Sequence, residues 1–305
     1  MQIASTVDAN AQDRTPVGVV AGIIPWNFPL LIGVWKVLPA LAAGCSVVAK
    51  PAETTPLTLL YLARLATEAG VPDGVFNVVT GRGTIAGSQL VNHPLVSKIS
   101  FTGSTPVGKA IARSCADSLK RFSLELGGKN PAIVLDDADL EQTAQGLMLA
   151  AFLNQGQLNK RKFFLTFKTP MLKPNRLLLA KKPPNSEGYY VPPTLIVNPS
   201  PEASCVTEEI FGPVLTLTRT SDADEALQLA NASSFGLAAS VWTQNLQAAM
   251  RLPAQLEAGT VWVNSHVMID PNMPFGGLKQ SGSGADFGSD WLDSFTIQKS
   301  ICIRH

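Results

Sequence analysis

Glu125 stands in Ser123-Leu124-Glu125-Leu126-Gly127-Gly128-Lys129-Asn130, a lone carboxylate set between apolar residues and followed by two glycines. Partial desolvation raises a carboxyl pKa toward neutrality, which suits a general base working near pH 7. The same residues also suit an ordinary strand end with a turn. Other chemistry is poorly supplied. Cys45, Cys115, Cys205 and Cys302 are widely spaced with no Cys-x-x-Cys, so neither a disulfide framework nor a zinc site is expected. That usage fits a reducing, cytoplasmic setting. His93, His266 and His305 are too few and too scattered for a metal cluster, and no metal is expected.

The elements that must hold Glu125 read as alternating strands and helices. Val17 to Ile24 is a continuous apolar run ending at Pro25, as a parallel strand covered on both faces requires. An apolar helical stretch follows through Ala43. Cys45 to Ala49, Val75 to Val79, Lys98 to Phe101 and Arg121 to Leu126 read as four further strands. Helices are expected over Pro56 to Ala69, Ile85 to Asn92 and Pro106 to Ala116. This alternation predicts an α/β fold whose first domain is an open parallel Rossmann-type sheet over 16–135. Ligands of such sheets sit at the carboxyl ends of the strands. Asn27, Lys50, Glu53, Gly103, Ser104 and Glu125 all fall at those ends, which points to a cofactor cleft. Gly103-Ser104 also precedes a helix, whose free N–H groups attract phosphate. By contrast, Gly81-Arg82-Gly83-Thr84-Ile85-Ala86 imitates the dinucleotide fingerprint but has no acidic residue at the next strand end, so it reads as a turn.

Composition supports a folded chain. Of 305 residues, 46% are hydrophobic and 15% charged, against about 25% charged in ordinary soluble domains. Two domains suit this length. Pro16 to Trp35 is uncharged and long enough to cross a bilayer, but its three prolines and Asn27 break it into strand and helix, so no membrane span is expected. Residues 158–184 break the composition: they hold eight basic side chains and no acid, while the rest of the chain holds 16 basic and 23 acidic, a formal charge of −7. A shift this sharp reads as a linker, a tail or a foreign segment without stable packing. With Phe163, Phe164 and Phe167 interleaved, the run 160–182 also has a composition that could bind nucleic acid.

Glu125-Leu-Gly-Gly-Lys-Asn-Pro131 resembles the glutamate motif of the aldehyde dehydrogenase superfamily, and Asn154-Gln-Gly-Gln157 resembles the approach to that family's cysteine nucleophile. Pro25-Trp26-Asn27-Phe28-Pro29, Lys50-Pro-Ala-Glu53, Phe101-Thr-Gly-Ser-Thr105, Glu208-Glu209-Ile-Phe211-Gly-Pro-Val214 and Pro274 to Gly282 are similar to further motifs, in family order. Residues 270–274, with the flanking His266, look most like enzymes of phenylacetaldehyde or betaine aldehyde.

The resemblance implies oxidation of an aldehyde to a carboxylic acid with NAD. Glu125 would be the general base, and the Asn27 amide would donate to the developing alkoxide. Trp26, Lys50, Glu53, Gly103, Ser104, Glu209 and Phe211 would bind the cofactor. A carboxylate at Glu53 accepts from ribose hydroxyls and repels a 2′-phosphate, so NAD is favoured over NADP. The expected organisation is an NAD-binding domain over 1–157, an aberrant Lys-rich linker over 158–184, the rest of a second α/β catalytic domain over 185–280, and a tail over 281–305. Expected partners are a small aldehyde and a homo-oligomer or intact relatives, with neither membrane nor nucleic acid.

The chain departs from the family where its chemistry starts. The nucleophilic cysteine belongs two residues after Gln157, and position 159 is Asn. Against the family, several dozen residues are absent between Gln157 and Asn185, and the match starts only at Thr15-Pro16. The expectation is an NAD-dependent family member that is catalytically silent, with a non-catalytic NAD-binding or oligomer-partner role as the alternative. Ala285-Asp286 likewise replaces the family's usual Arg-Glu pair.

Overall fold

The computed structural model describes residues 9–157, 160–166, 176–180, 188 and 190–303. Two compact units are interleaved along the chain. Unit 1 comprises Met1–Thr102, Lys109–Ser123 and Asp286–His305; unit 2 comprises Gly103–Gly108 and Leu124–Ala285.

Unit 1 contains β1 (Ala9–Pro16), β2 (Val19–Ile23), α1 (Pro29–Ala42), β3 (Ser46–Lys50), α2 (Leu57–Glu68), β4 (Phe76–Val78), α3 (Ser88–Asn92) and β5 (Val96–Thr102), with parts of α4 (Thr105–Asp117) and β6 (Arg121–Glu125). Its sheet has the order β6-β5-β2-β3-β4, and β2 runs parallel to both β3 and β5. The apolar runs read from the sequence are therefore the covered strands of this sheet. Pro29 opens α1, where its missing N–H costs nothing. Gly44, at φ +82°, lets the chain leave that helix and enter β3. A Cβ on Gly33 would lie 2.5 Å from Leu59 Cδ1, so α1 and α2 pack through that glycine. β1 pairs antiparallel with the terminal strand Thr296–Ile303.

Polar groups lie inside unit 1 as well. Lys36 is 0% exposed. Its ammonium meets Asp286 Oδ2 at 3.2 Å and donates to Ser100 Oγ at 3.3 Å; the Ser123 hydroxyl reaches Ser100 Oγ at 3.1 Å. Asp286, noted in the sequence only as a departure, is thus the buried counterion of Lys36.

Unit 2 is built on β7 (Lys129–Val134), α5 (Leu140–Phe152), β8 (Lys160–Leu165), β9 (Arg176–Leu179), β10 (Thr194–Val197), α6 (Ser204–Thr207), β11 (Val214–Arg219), α7 (Ala223–Asn231), β12 (Phe235–Gly236), β13 (Ala238–Trp242), α8 (Leu246–Gln255) and β14 (Thr260–Val263). Its seven-stranded sheet runs β14-β13-β7-β8-β11-β10-β9, parallel except where β9 meets β10.

Two expectations are corrected here. The units do not divide at 157: Gly103–Gly108 and Leu124–Ala285 form unit 2, so β7 and α5 join the second sheet's unit, and Asp286–His305, expected as part of a tail, belongs to unit 1. The Lys-rich linker fails over residues 160–165, which form β8, a central strand flanked by β7 and β11. Phe163 is buried against Ala132, Val134, Leu147 and Trp242 on one face, and Phe164 against Ile133, Ala226, Val241 and Leu252 on the other. Two adjacent phenylalanines cover both faces of a strand, and that outweighs the basic residues before them. Positions 158, 159, 167–175 and 181–187 lie outside the described residues.

Candidate active site

In unit 1 the carboxyl ends of the strands carry the expected polar residues. Lys50 closes β3 and is 4% exposed. Glu53, in the loop beyond it, accepts through Oε1 a 2.8 Å hydrogen bond from the Gly83 N–H. Gly83 opens a π-helical turn, Gly83–Gly87, and a Cβ built on it would lie 3.9 Å from Lys50 Nζ. The glycine-rich segment set aside as a plain turn is therefore what fixes Glu53 beside Lys50. An ammonium that donates and a carboxylate with Oε2 left to accept form a donor set that fits the vicinal hydroxyls of a ribose. Trp26 is 44% exposed and Asn27 is half-buried, both just ahead of the Pro29 start of α1.

In unit 2, Glu125 ends β6 and is 5% exposed. Its carbonyl accepts from the Gly103 N–H at 3.0 Å, and its backbone pairs antiparallel with Gly282. Leu126 N–H donates to the Ser281 carbonyl at 2.8 Å. The backbone that carries Glu125 is thus held from both sides of its strand. Desolvation, the condition read from the flanking leucines, is met.

The glycines after it serve close approach. A Cβ on Gly127 would stand 2.5 Å from Glu209 Oε2, 3.2 Å from Thr105 Oγ1 and 3.3 Å from Phe235 Cε1. Glu209 Oε1 accepts from Gly128 N–H at 3.3 Å. Lys129 then donates to the carbonyls of Cys205 and Glu208, both at 2.7 Å, which anchors the segment leading into Glu209. Gly103, Ser104, Glu125 and Glu209 are brought into one neighbourhood by these contacts, with Phe211 two residues on and 39% exposed.

The approach to position 159 is tightly bent. Asn154, Gln155 and Gly156 take φ of 51°, 59° and 75°, a left-handed run that costs non-glycine residues energy. A Cβ on Gly156 would meet the Gly212 carbonyl oxygen at 2.5 Å, so this bend passes directly beside the Phe211-Gly212-Pro213 segment. Asn159 itself lies outside the described residues. No group of metal-ligating side chains occurs among the described residues. Sequence reasoning missed Lys129, Thr105 and Gly83; the available signal was Gly128 beside Lys129, Gly103 two residues before Thr105, and Gly83 itself, since such glycines mark close backbone approach.

Comparison with known proteins meets this geometry. The profile of the aldehyde dehydrogenase family matches residues 2–159 and 173–301. A phenylacetaldehyde dehydrogenase of Pseudomonas fluorescens is 44% identical over 96% of this chain and 68% of its own length. An aldehyde dehydrogenase of Bacillus cereus, solved in complex with NAD+, superposes with a TM-score of 0.90 at 39% identity, over 97% of this chain and 70% of that one. An NADP-dependent enzyme of E. coli gives 0.91 at 34% identity, over 97% and 71%. The chain belongs to the aldehyde dehydrogenase family. Its family-like sequence begins earlier than Thr15, continues past Gln157 and resumes at 173, so only residues 160–172 interrupt it. No helix among the described residues is long and apolar enough to cross a membrane.

Proposed function

We propose that this chain carries the NAD-linked site for oxidising an aldehyde to its acid, and that with Asn at 159 it binds dinucleotide and aldehyde without turning them over. The observation that supports this best is the setting of Glu125, buried at a strand end and tied to Gly103 on one side and Gly282 on the other. Bound NAD would supply the hydride acceptor. Lys50 and Glu53 would hold its adenosine ribose, Gly103-Ser104 would face its phosphates, and Glu209 and Phe211 would meet its nicotinamide end. Glu53 favours NAD, because a fixed carboxylate repels the 2′-phosphate of NADP.

Asn27 would donate to the carbonyl oxygen of the aldehyde, and Glu125 would take a proton from water. An asparagine amide cannot replace a thiolate as the covalent nucleophile, and losing such a nucleophile costs several orders of magnitude in rate. The substrate class favoured is an arylacetaldehyde, by likeness to the Pseudomonas enzyme.

The test is calorimetric titration with NAD and NADP beside steady-state NADH production from phenylacetaldehyde. Expected are NAD binding tighter than NADP and no turnover, with Asn159→Cys alone not restoring it. Turnover by the unchanged chain that disappears in Glu125→Ala would overturn the silent reading, and absence of NAD binding would overturn the site.

A further inference from the structure

The sheet of unit 2 reverses its winding at one place. From β7 the chain crosses through α5 to β8, on one side of β7; from β13, on the other side, it crosses through α8 to β14. The two helices therefore lie on opposite faces of the sheet. Leu147 and Ala151 of α5 pack with Phe163 and Trp242, whereas Leu252 of α8 packs with Phe164 and Val241. Where the chain leaves two neighbouring parallel strands toward opposite faces, a crevice opens outside their carboxyl ends, and open α/β sheets bind ligands there. β7 and β13 are such neighbours, in register from Ala132–Ser240 to Val134–Trp242. A cleft of about 380 Å³ stands at that point, at the end of β7 remote from Lys129, and the proposed oxidation does not use it.

One wall of the cleft is the turn after β7, Leu135-Asp136-Asp137; the other is the first half of α8, with Gln247, Ala248 and Arg251. The turns after the two strands are tied together, because Asp137 accepts from the Thr243 hydroxyl at 2.7 and 2.9 Å and from the Gln244 N–H at 3.0 Å. Arg251 sets Nη1 on Asp224 at 2.7 Å and on Gln255 at 3.2 Å, which leaves Nε and Nη2 to donate. The Asp136 carboxylate and the Gln247 amide hydrogen-bond to no described residue. The lining side chains carry two negative charges and one positive. That balance opposes a phosphate and calls for an ammonium against the aspartates. The facing wall offers Arg251 and Gln247 as donors, which a carboxylate matches. Leu135 and Ala248 add an apolar contact on each wall. We propose that this crevice binds a free α-amino acid with an apolar side chain, its ammonium on Asp136 and Asp137 and its carboxylate on Arg251 and Gln247. Binding there stabilises the folded chain by mass action and leaves the dinucleotide site untouched.

The experiment is calorimetric titration of the full chain with leucine at pH 7, beside isopentylamine, which lacks its carboxylate, and 4-methylpentanoate, which lacks its ammonium. Leucine is expected to bind with a Kd of about 1 mM, and each truncated ligand about 10-fold more weakly. Asp136→Asn and Arg251→Gln should each weaken leucine about 10-fold while circular dichroism and NAD affinity keep their wild-type values. Both side chains are exposed, outside the two cores. If Arg251→Gln, which also releases Asp224, does not fold, Asp136→Asn and the ligand series decide. No saturable leucine binding up to about 20 mM would overturn the proposal. So would equal binding of 4-methylpentanoate, or a leucine affinity that Asp136→Asn leaves unchanged. NAD binding is read separately, so its failure would sink the oxidation site and leave this one standing.

Discussion

Replacing Lys98 by Met tests the electrostatics of unit 1 with a sign that can be worked out. Lys98 sits in β5, 2% exposed, donating to Ser294 Oγ at 2.8 Å with its ammonium 4.9 Å from the Phe295 ring centroid. Burial lowers its pKa from 10.5 to about 8; Asp286 pulls it up, Lys36 and Arg121 push it down further, and Cys45 pulls it up slightly. The folded state therefore holds fewer protons than the unfolded chain between pH 8 and pH 10.5. Stability contributed by this group is fully present above the unfolded value and is lost as pH falls through about 8. The shift corresponds to about 3 kcal/mol.

Lys98→Met keeps the length of the side chain and removes the charge. The expected result is a variant at least as stable as the wild type at pH 7, because an apolar isostere avoids the desolvation cost. Wild type should then gain about 3 kcal/mol on the variant between pH 7 and pH 10.5. Urea unfolding followed by tryptophan fluorescence reads this as a relative midpoint shift of about 1–2 M. A difference between the two proteins that stays flat with pH, or falls as pH rises, would refute the assigned burial cost.

Two further outcomes follow from the geometry. Gly146→Ala places a Cβ 2.3 Å from Trp242 Cη2, in a core where Trp242 is 1% exposed, so a loss of about 1–3 kcal/mol is expected, read as a drop in Tm by calorimetry. Glu53→Ala removes the carboxylate held by Gly83 N–H; the NAD-over-NADP preference in Kd should narrow about 10-fold, and a preference left unchanged by titration would show that another group sets it.

Strands β2 and β3 were readable because each is a largely covered apolar run bounded by Pro or Gly: Val17 to Ile24 was expected and Val19–Ile23 is found, whereas β1 and the terminal strand Thr296–Ile303, partly polar in sequence and paired with each other, were not read as strands. The carboxyl-end residues were readable by the same rule of parallel sheets. Strand β8 was not, because Lys160-Arg161-Lys162 carries a solvated signature, and only tertiary context shows that Phe163 and Phe164 serve opposite faces. Lys36 and Lys98 were hidden in apolar elements for a related reason. Their counterions and acceptors, Asp286 and Ser294, come from sequence positions about 200 or more residues away. Glu209 was legible through its motif, whereas its contact with the Gly127-Gly128 turn was not.

Phe295 has a bearing on how the chain is made. Its carbonyl receives both the Val17 N–H and the Cys45 thiol, and its ring completes the cluster of Val20, Val37, Val47 and Leu59. The first-made strands of unit 1 must therefore wait on the ribosome for a residue synthesised long after them. At about 5–20 residues per second, that interval is roughly 10–30 s after residue 123 emerges. During it unit 2 can complete its own sheet while the amino-terminal core stays open, exposed to chaperones and proteases. A nascent chain stalled before residue 286 should be cut by protease within residues 9–123 and protected in β7 and β13.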